Sequence, residues 1–339
     1  MARSRLDVGL LFATRIARLF AYGLISVVLV LYLSTVGLGT GEIGLLLTLT
    51  LAGDAIISLW LTTWADRIGR RRTLIIGALL MLGAGVAFVL TQNPLLLTLA
   101  AIVGVISPSG NEIGPFLSIE QASLSQLVPD KQRTHIFAWY NLVGSFATAT
   151  GALCSGLTAQ HNIVTGWTLQ NAHRTLPCCY ACVGLLLLLA FLALSPAVEP
   201  PRTATAQPAR LFLGLHKSRA IVFKLSALFA LDAFAGAFVV QSIVAYWFNV
   251  RFGADVETIG AIFFAANILA GVSALLAARI AARFGLINTM VFTHIPSNVL
   301  LMLVPLMPTL PSAVDVMLVR FSISQMDVPT RQSYTMAVV

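Results

Sequence analysis

Charge is what this sequence has least of. Among 339 residues there are 21 Lys and Arg and 13 Asp and Glu, so charged side chains make up 10% and hydrophobic ones 58%. A soluble domain could not cover its surface with so few charges. Equally absent are a Gly-x-x-x-x-Gly-Lys-Ser/Thr phosphate loop, a His-Glu-x-x-His pair and any nucleophile–base pattern. These gaps argue against an ATP-driven machine and a membrane enzyme, and they leave no cofactor and no metal to expect. Cysteine is sparse too. Cys154, Cys178, Cys179 and Cys182 lie in apolar runs, where small polarizable residues pack well. No compartment follows from them.

What the chain has in abundance is apolar length. A hydrocarbon core of about 30 Å needs a helix of about 20 apolar residues, and the mean hydropathy is +0.89. Ten runs qualify: 10–33, 43–64, 73–91, 95–127, 135–158, 177–195, 220–249, 257–281, 286–307 and 311–330. The sequence therefore predicts an all-α polytopic membrane protein. The fourth run is too long for one straight crossing and carries Pro108, Gly110, Gly114 and Pro115, which predicts a break at its middle. The opening "MARSRLDVGLLFATRIARLF" has the basic flank of a signal peptide, but its apolar stretch reaches Leu33 without a small-residue cleavage site. It reads as an uncleaved first span.

The net charge of +8 does not indicate nucleic acid, because the basic residues cluster in alternate loops. One side holds Arg3, Arg5, Arg67, Arg70, Arg71, Arg72, Lys131, Arg133, Arg202, Arg210, Lys217, Arg219, Arg279, Arg283 and Arg331; the other holds Arg174 and Arg251. The positive-inside rule then places the N-terminus in the cytoplasm, with the chain in a plasma or inner membrane. The proline-rich basic stretch 196–219 reads as a cytoplasmic linker between an N-terminal six-helix bundle, 1–195, and a four-helix C-terminal bundle, 220–339.

These bundles look like copies. Gly37 recurs as Gly253, Ile43-Gly44 as Ile259-Gly260, and Arg67-x-Gly69 as Arg283-x-Gly285, all at an offset of 216; "LSIEQ" at 117–121 echoes "FSISQ" at 321–325. By that repeat, two further spans are expected after the tenth.

The stretch Thr62-x-x-x-Asp66-Arg67-x-Gly69-Arg70-Arg71 resembles the loop signature between the second and third helices of major facilitator superfamily transporters, with Thr62 replacing the leading glycine. The resemblance implies an MFS-type two-bundle fold, about ten helices of an expected twelve, and a secondary transporter moving a small solute by alternating access. It implies a gating role for Asp66, Arg67, Gly69, Arg70 and Arg71. Asp66 would latch against an eleventh helix that this sequence lacks. The fifth span weakly resembles the family's antiporter signature at Gly151-Ala152-Leu153-Cys154-Ser155-Gly156, but without the proline. Proton-coupled efflux is the preferred expectation; uptake of an anion, or a truncated non-transporting protein, is the alternative. The expected partners are a small-molecule substrate, protons and the lipid bilayer, for a monomer.

Ionisable residues inside a bilayer are costly and usually line a transport path. Here they are Arg15, Arg18, Asp54, Glu112, Glu120, Asp232 and Arg320, with Asp327 nearer the cytoplasmic end of the tenth span. All but Asp54 fall on the first, fourth, seventh and tenth spans, the helices that line the cavity in the family. Glu112, at the predicted break, is the foremost candidate for coupling or substrate binding, with freed backbone carbonyls beside it. The alternative is a structural ion pair with Arg15 or Arg18. Arg15, Arg18 and Arg320 offer a site for an anionic substrate, with snorkelling of Arg15 to the interface as the alternative. Asn141, Gln241, Tyr140 and Tyr246 read as polar packing between helices or as added hydrogen bonds, and His294 reads as a packing residue.

Overall fold

The computed structural model describes residues 2–112, 114–200 and 219–331. The first three helices, α1 (Ala2–Thr35), α2 (Thr40–Ile68) and α3 (Arg70–Leu90), follow the predicted spans. The fourth span is split into α4 (Pro94–Val103) and α5 (Phe116–Leu127), as its prolines and glycines predict. Then come α6 (Asp130–Val164) and α7 (Leu169–Ala193). After the link lie α8 (Arg219–Ala237), α9 (Gln241–Phe252), α10 (Val256–Phe284), α11 (Leu286–Leu303) and α12 (Leu310–Ser324). Among the described residues there is no strand, and eight helical stretches are long and apolar enough to cross a membrane. The split fourth span and the 15-residue α12 fall short of that length.

Several boundaries differ from the sequence reading: α6 runs six residues past the predicted 158, and α12 stops six short of 330. Helix α7 begins eight residues before the predicted 177, because the Thr168 side chain accepts the Asn171 N–H and caps the helix there. Pro177 is then carried inside it. The seventh span, read as continuous, breaks between Ala237 and Gln241. The first turn of α9 donates outside its own helix, Ser242 N–H reaching the Pro108 carbonyl at 3.0 Å. Helix N-termini leave such donors free.

The chain folds as two compact units. One holds residues 1–200 with 241–268; the other holds 201–240 with 269–339. The sequence boundary at 196–219 therefore differs from this division, since α9 and the first part of α10 group with the first unit. Small residues bring them in. A Cβ on Gly156 would lie 2.5 Å from the Val256 carbonyl oxygen, and one on Gly260 2.8 Å from that of Ala152. Most of the predicted linker, 201–218, lies outside the described residues, as do 332–339.

In the first unit α1 is the central helix, buried along most of its length against α6 and α7. A helix apolar on all faces is one surrounded by protein or lipid. Its crossing with α6 is close enough that Gly23 faces the Thr148 backbone and Gly151 faces the Phe20 carbonyl with no room for a methyl group. Without a hydrophobic drive between helices in lipid, small residues of this kind let backbones approach.

The internal repeat has a backbone counterpart. Gly37 and Gly253 both have positive φ, 98° and 67°, and so do Gly69 and Gly285, 108° and 86°. Only glycine adopts these angles without strain.

Candidate functional site

The first unit buries four charged side chains together. Arg15 and Arg18 are one turn apart on α1, so they share a face. Glu120 comes from α5, and Glu112 from the irregular segment between α4 and α5. Arg18, fully buried, donates from both terminal nitrogens to Glu120, at 2.8 and 2.6 Å, and from Nε to Glu112 at 2.8 Å. Glu120 is equally buried and also accepts from Thr14 and from the Tyr140 hydroxyl. Arg15 donates to the other oxygen of Glu112 at 2.7 Å and to Asn141 at 3.3 Å. The guanidinium of Arg15 lies 4.2 Å from the Tyr140 ring centre, and that of Arg18 4.4 Å from the Phe116 ring. Fork-to-carboxylate bonding with stacking on aromatic faces suits arginine, not lysine.

Two positive and two negative groups thus compensate each other out of water. Glu112 forms ion pairs with both arginines, the alternative its sequence position left open. Arg15 does not snorkel to an interface; it is 5% exposed and its Nε has no hydrogen-bond partner. Glu112 is the most accessible of the four, its side chain 11% exposed.

The segment carrying Glu112 is held from several helices. Val105, Gly110 and Gly114 have positive φ. Tyr180 on α7 donates to the Val105 carbonyl at 2.8 Å, Ser242 on α9 to Pro108, and Ser107 to Asn111 within the segment. Asp54 on α2 accepts from Ser58, one turn on in the same helix. The freed carbonyls expected beside Glu112 are largely taken by these side chains, so the chemistry of the site rests on its side chains.

A second cluster lies in the other unit. Asp232 on α8 accepts from Arg331 at 3.0 Å, and its other oxygen is 3.3 Å from Nε2 of His294 on α11. Nδ1 of the same histidine is 3.5 Å from Asp327. A neutral imidazole has one N–H, so both contacts are attractive only in the doubly protonated ring. His294 is therefore more than the packing residue its sequence position suggested. Arg320 stands over the Phe321 ring, with its Nε buried and unpartnered. The sequence pointed to Asp232, Asp327 and Arg320 singly but not to the grouping of the two aspartates with His294 and Arg331, because Asp232 lies far from the others in the chain.

The signature loop turns at Gly69 between α2 and α3. Asp66 accepts from Arg70 Nε at 2.9 Å, one turn on, and is mostly exposed. Arg67 lies over Trp64. Arg71 donates to the carbonyls of Phe191 and Leu192 at the end of α7. Nothing in the sequence pointed to Glu199, which accepts the Arg70 and Arg71 backbone N–H groups at 2.8 and 3.2 Å and so caps α3 from 128 residues away. A carboxylate there also meets the positive end of the helix dipole. Gln126 fastens the same stretch by donating to the Ala197 and Glu199 carbonyls. Glu199→Gln should cost about 1 kcal/mol at this helix end, read as roughly fivefold faster hydrogen exchange at the Arg70 and Arg71 amides. Unchanged exchange would deny Glu199 a capping role.

The Major Facilitator Superfamily model matches residues 11–338. The Saccharomyces cerevisiae membrane protein YJR124C is 31% identical over 355 residues, covering 96% of this chain and 79% of its own. The Bacillus subtilis MFS-type transporter YhjO is 26% identical over 161 residues, covering 48% of this chain and 38% of its own. Among solved structures, the nucleoside transporter NupG superposes with a TM-score of 0.71 at 15% identity, covering 98% of this chain and 83% of that one. A bacterial homologue of the human lysosomal transporter Spinster does so at 0.67 and 16%, covering 99% and 76%. At such identities the likeness is one of fold. With a family match running nearly end to end over a bundle of apolar helices, this chain belongs to the Major Facilitator Superfamily, whose members are membrane transporters and not enzymes.

Proposed function

We propose that this protein is a secondary carrier of a small solute, coupled to protons, with Glu112 as the coupling acid. The carrying observation is the buried, charge-balanced cluster of Arg15, Arg18, Glu112 and Glu120 in the first unit. Charges at such depth are retained at a cost and mark transport paths. Glu112 alone among them sits on irregular backbone and is partly accessible, so it is the member that can gain and lose a proton as access alternates. His294, between two aspartates, supplies a second protonatable site in the other unit. The charge asymmetry of the loops supports an N-terminus and a signature loop in the cytoplasm, in the plasma or inner membrane. There Gly69 and its neighbouring arginines form the hinge and Asp66 the latch. A monomer suffices for this mechanism.

The solved neighbours include carriers named for xylose and for nucleosides, so they do not select one substrate. The two coupling schemes make opposite demands on Glu112. Efflux by proton exchange needs solute and proton to compete for the carboxylate, as a cationic solute would. Co-movement needs the proton to free an arginine. Purified protein in vesicles, with a trapped pH dye, tests the proposal across a panel of cationic, neutral and anionic solutes. At least one class is expected to move protons. Glu112→Gln should abolish accumulation driven by a pH gradient while leaving solute counterflow. Absence of both proton movement and counterflow across the panel would refute the carrier, and unchanged gradient-driven accumulation in Glu112→Gln would refute the role of Glu112.

A further inference from the structure

The two arginines of the first cluster are not equivalent. Arg18 has an acid of its own, since Glu120 grips both its terminal nitrogens in full burial. If Glu112 were withdrawn, Arg18 would stay compensated. Arg15 would not. Glu112 is its one acidic partner among the described residues, Asn141 offers a neutral oxygen, and Nε is buried with no acceptor at all. The space beside that nitrogen is kept by Gly144, where a Cβ would lie 2.8 Å from Arg15 Nε. Glu112 spans the pair as a bound ligand would, one oxygen on Arg15 and the other on Arg18. It is tethered by a segment turning at Gly110 and Gly114, both at positive φ.

We propose that Arg15 recognises an anionic group of the carried solute, a carboxylate or similarly planar oxyanion, and that Glu112 is a tethered stand-in for it. The inference rests on the carrier reading above and gives that carrier its substrate class. The charges balance. One proton converts the Glu112 carboxylate to the neutral acid, its bond to Arg15 is given up, and one solute anion takes the vacated guanidinium. The cluster ends with the net charge it began with. Proton and anion therefore enter together, which favours co-movement over exchange. Arg15 and Arg18 on α1 bond Glu112 directly; Glu120 on α5 lies behind them on Arg18, and Tyr140 on α6 donates to Glu120. Of the acids, Glu120 is committed to four donors, so Glu112 is the one free to discharge.

A small carboxylate should therefore replace a missing one. The full-length protein in detergent is melted in sodium acetate and in sodium chloride of equal ionic strength, as wild type, Glu112→Ala and Glu112→Ala/Arg15→Met. Acetate at roughly tenfold its dissociation constant should raise the Tm of Glu112→Ala by about 2–4 °C over chloride. It should leave wild type unchanged near neutral pH and lose its effect in the double variant. No gain over chloride in Glu112→Ala, a gain that survives Arg15→Met, or an equal gain from methylammonium would each overturn the inference. Should Glu112→Ala not fold, Glu112→Gln replaces it. The same comparison of acetate with chloride then decides. Because the readout is binding, its failure is separate from failure to transport.

Discussion

Glu120→Gln is expected to destabilise the protein by about 3–5 kcal/mol, more than removing its partner does. The two members of this buried pair differ in their escape from charge. An arginine cannot be deprotonated inside a protein, whereas a glutamate can take up a proton and become neutral. Without the Glu120 carboxylate, the fully buried Arg18 keeps only its Nε bond to Glu112, which Arg15 also claims. The cluster then holds two cations and one anion, almost wholly buried. Arg18→Met leaves Glu120 with Tyr140 and Thr14 as donors and free to protonate, so its cost should be about 1–3 kcal/mol. The double variant Arg18→Met/Glu120→Gln restores neutrality, with Arg15 and Glu112 still paired, and should recover most of the loss. Denaturation midpoints in mixed micelles would measure all three. Equal costs for the single variants, or no recovery in the double, would show that charge compensation does not govern this core.

The second large effect is steric. Gly151→Ala should cost at least the upper end of the usual 1–3 kcal/mol for overpacking, because the added methyl meets backbone. It would fall against the Phe20 carbonyl and lie 2.9 Å from the Leu24 nitrogen, and neither can turn aside as a side chain would. Helix α1 would have to move off α6 and carry Arg15 and Arg18 from their acids. Gly83→Ala on α3 is the matched control, since a Cβ there has nothing within 4 Å. That change should instead stabilise by about 0.5–1 kcal/mol through helix propensity. Thermal unfolding of the two proteins in the same detergent separates the cases. A mild Gly151→Ala would mean that the α1–α6 crossing yields easily.

The break in the fourth span was legible because proline and glycine act through the local backbone. Val105 at positive φ was not legible, since nothing in valine favours φ 54°. Tyr180 on α7 bonds its carbonyl, while Ser242 on α9 and Thr148 on α6 hold the Pro108 and Gly110 carbonyls of the same segment. The break in the seventh span carried no proline to announce it. Its cause is the anchoring of Ser242 on Pro108, 134 residues away.

By itself the sequence determined the membrane as solvent, the order of the helices, the turning glycines of the repeat and the family loop at Asp66 to Arg71. Each follows from properties a residue carries locally: transfer free energy, φ preference, or charge next to a bilayer. Which ionisable groups act together was decided only by tertiary structure. Arg15 and Glu112 are 97 residues apart, Arg331 and Asp232 are 99, and the acid that caps α3 comes from beyond α7. Such pairings depend on which helix faces meet, and α1 meets α5 and α6 as it does because glycines let the backbones close while buried charges demand partners.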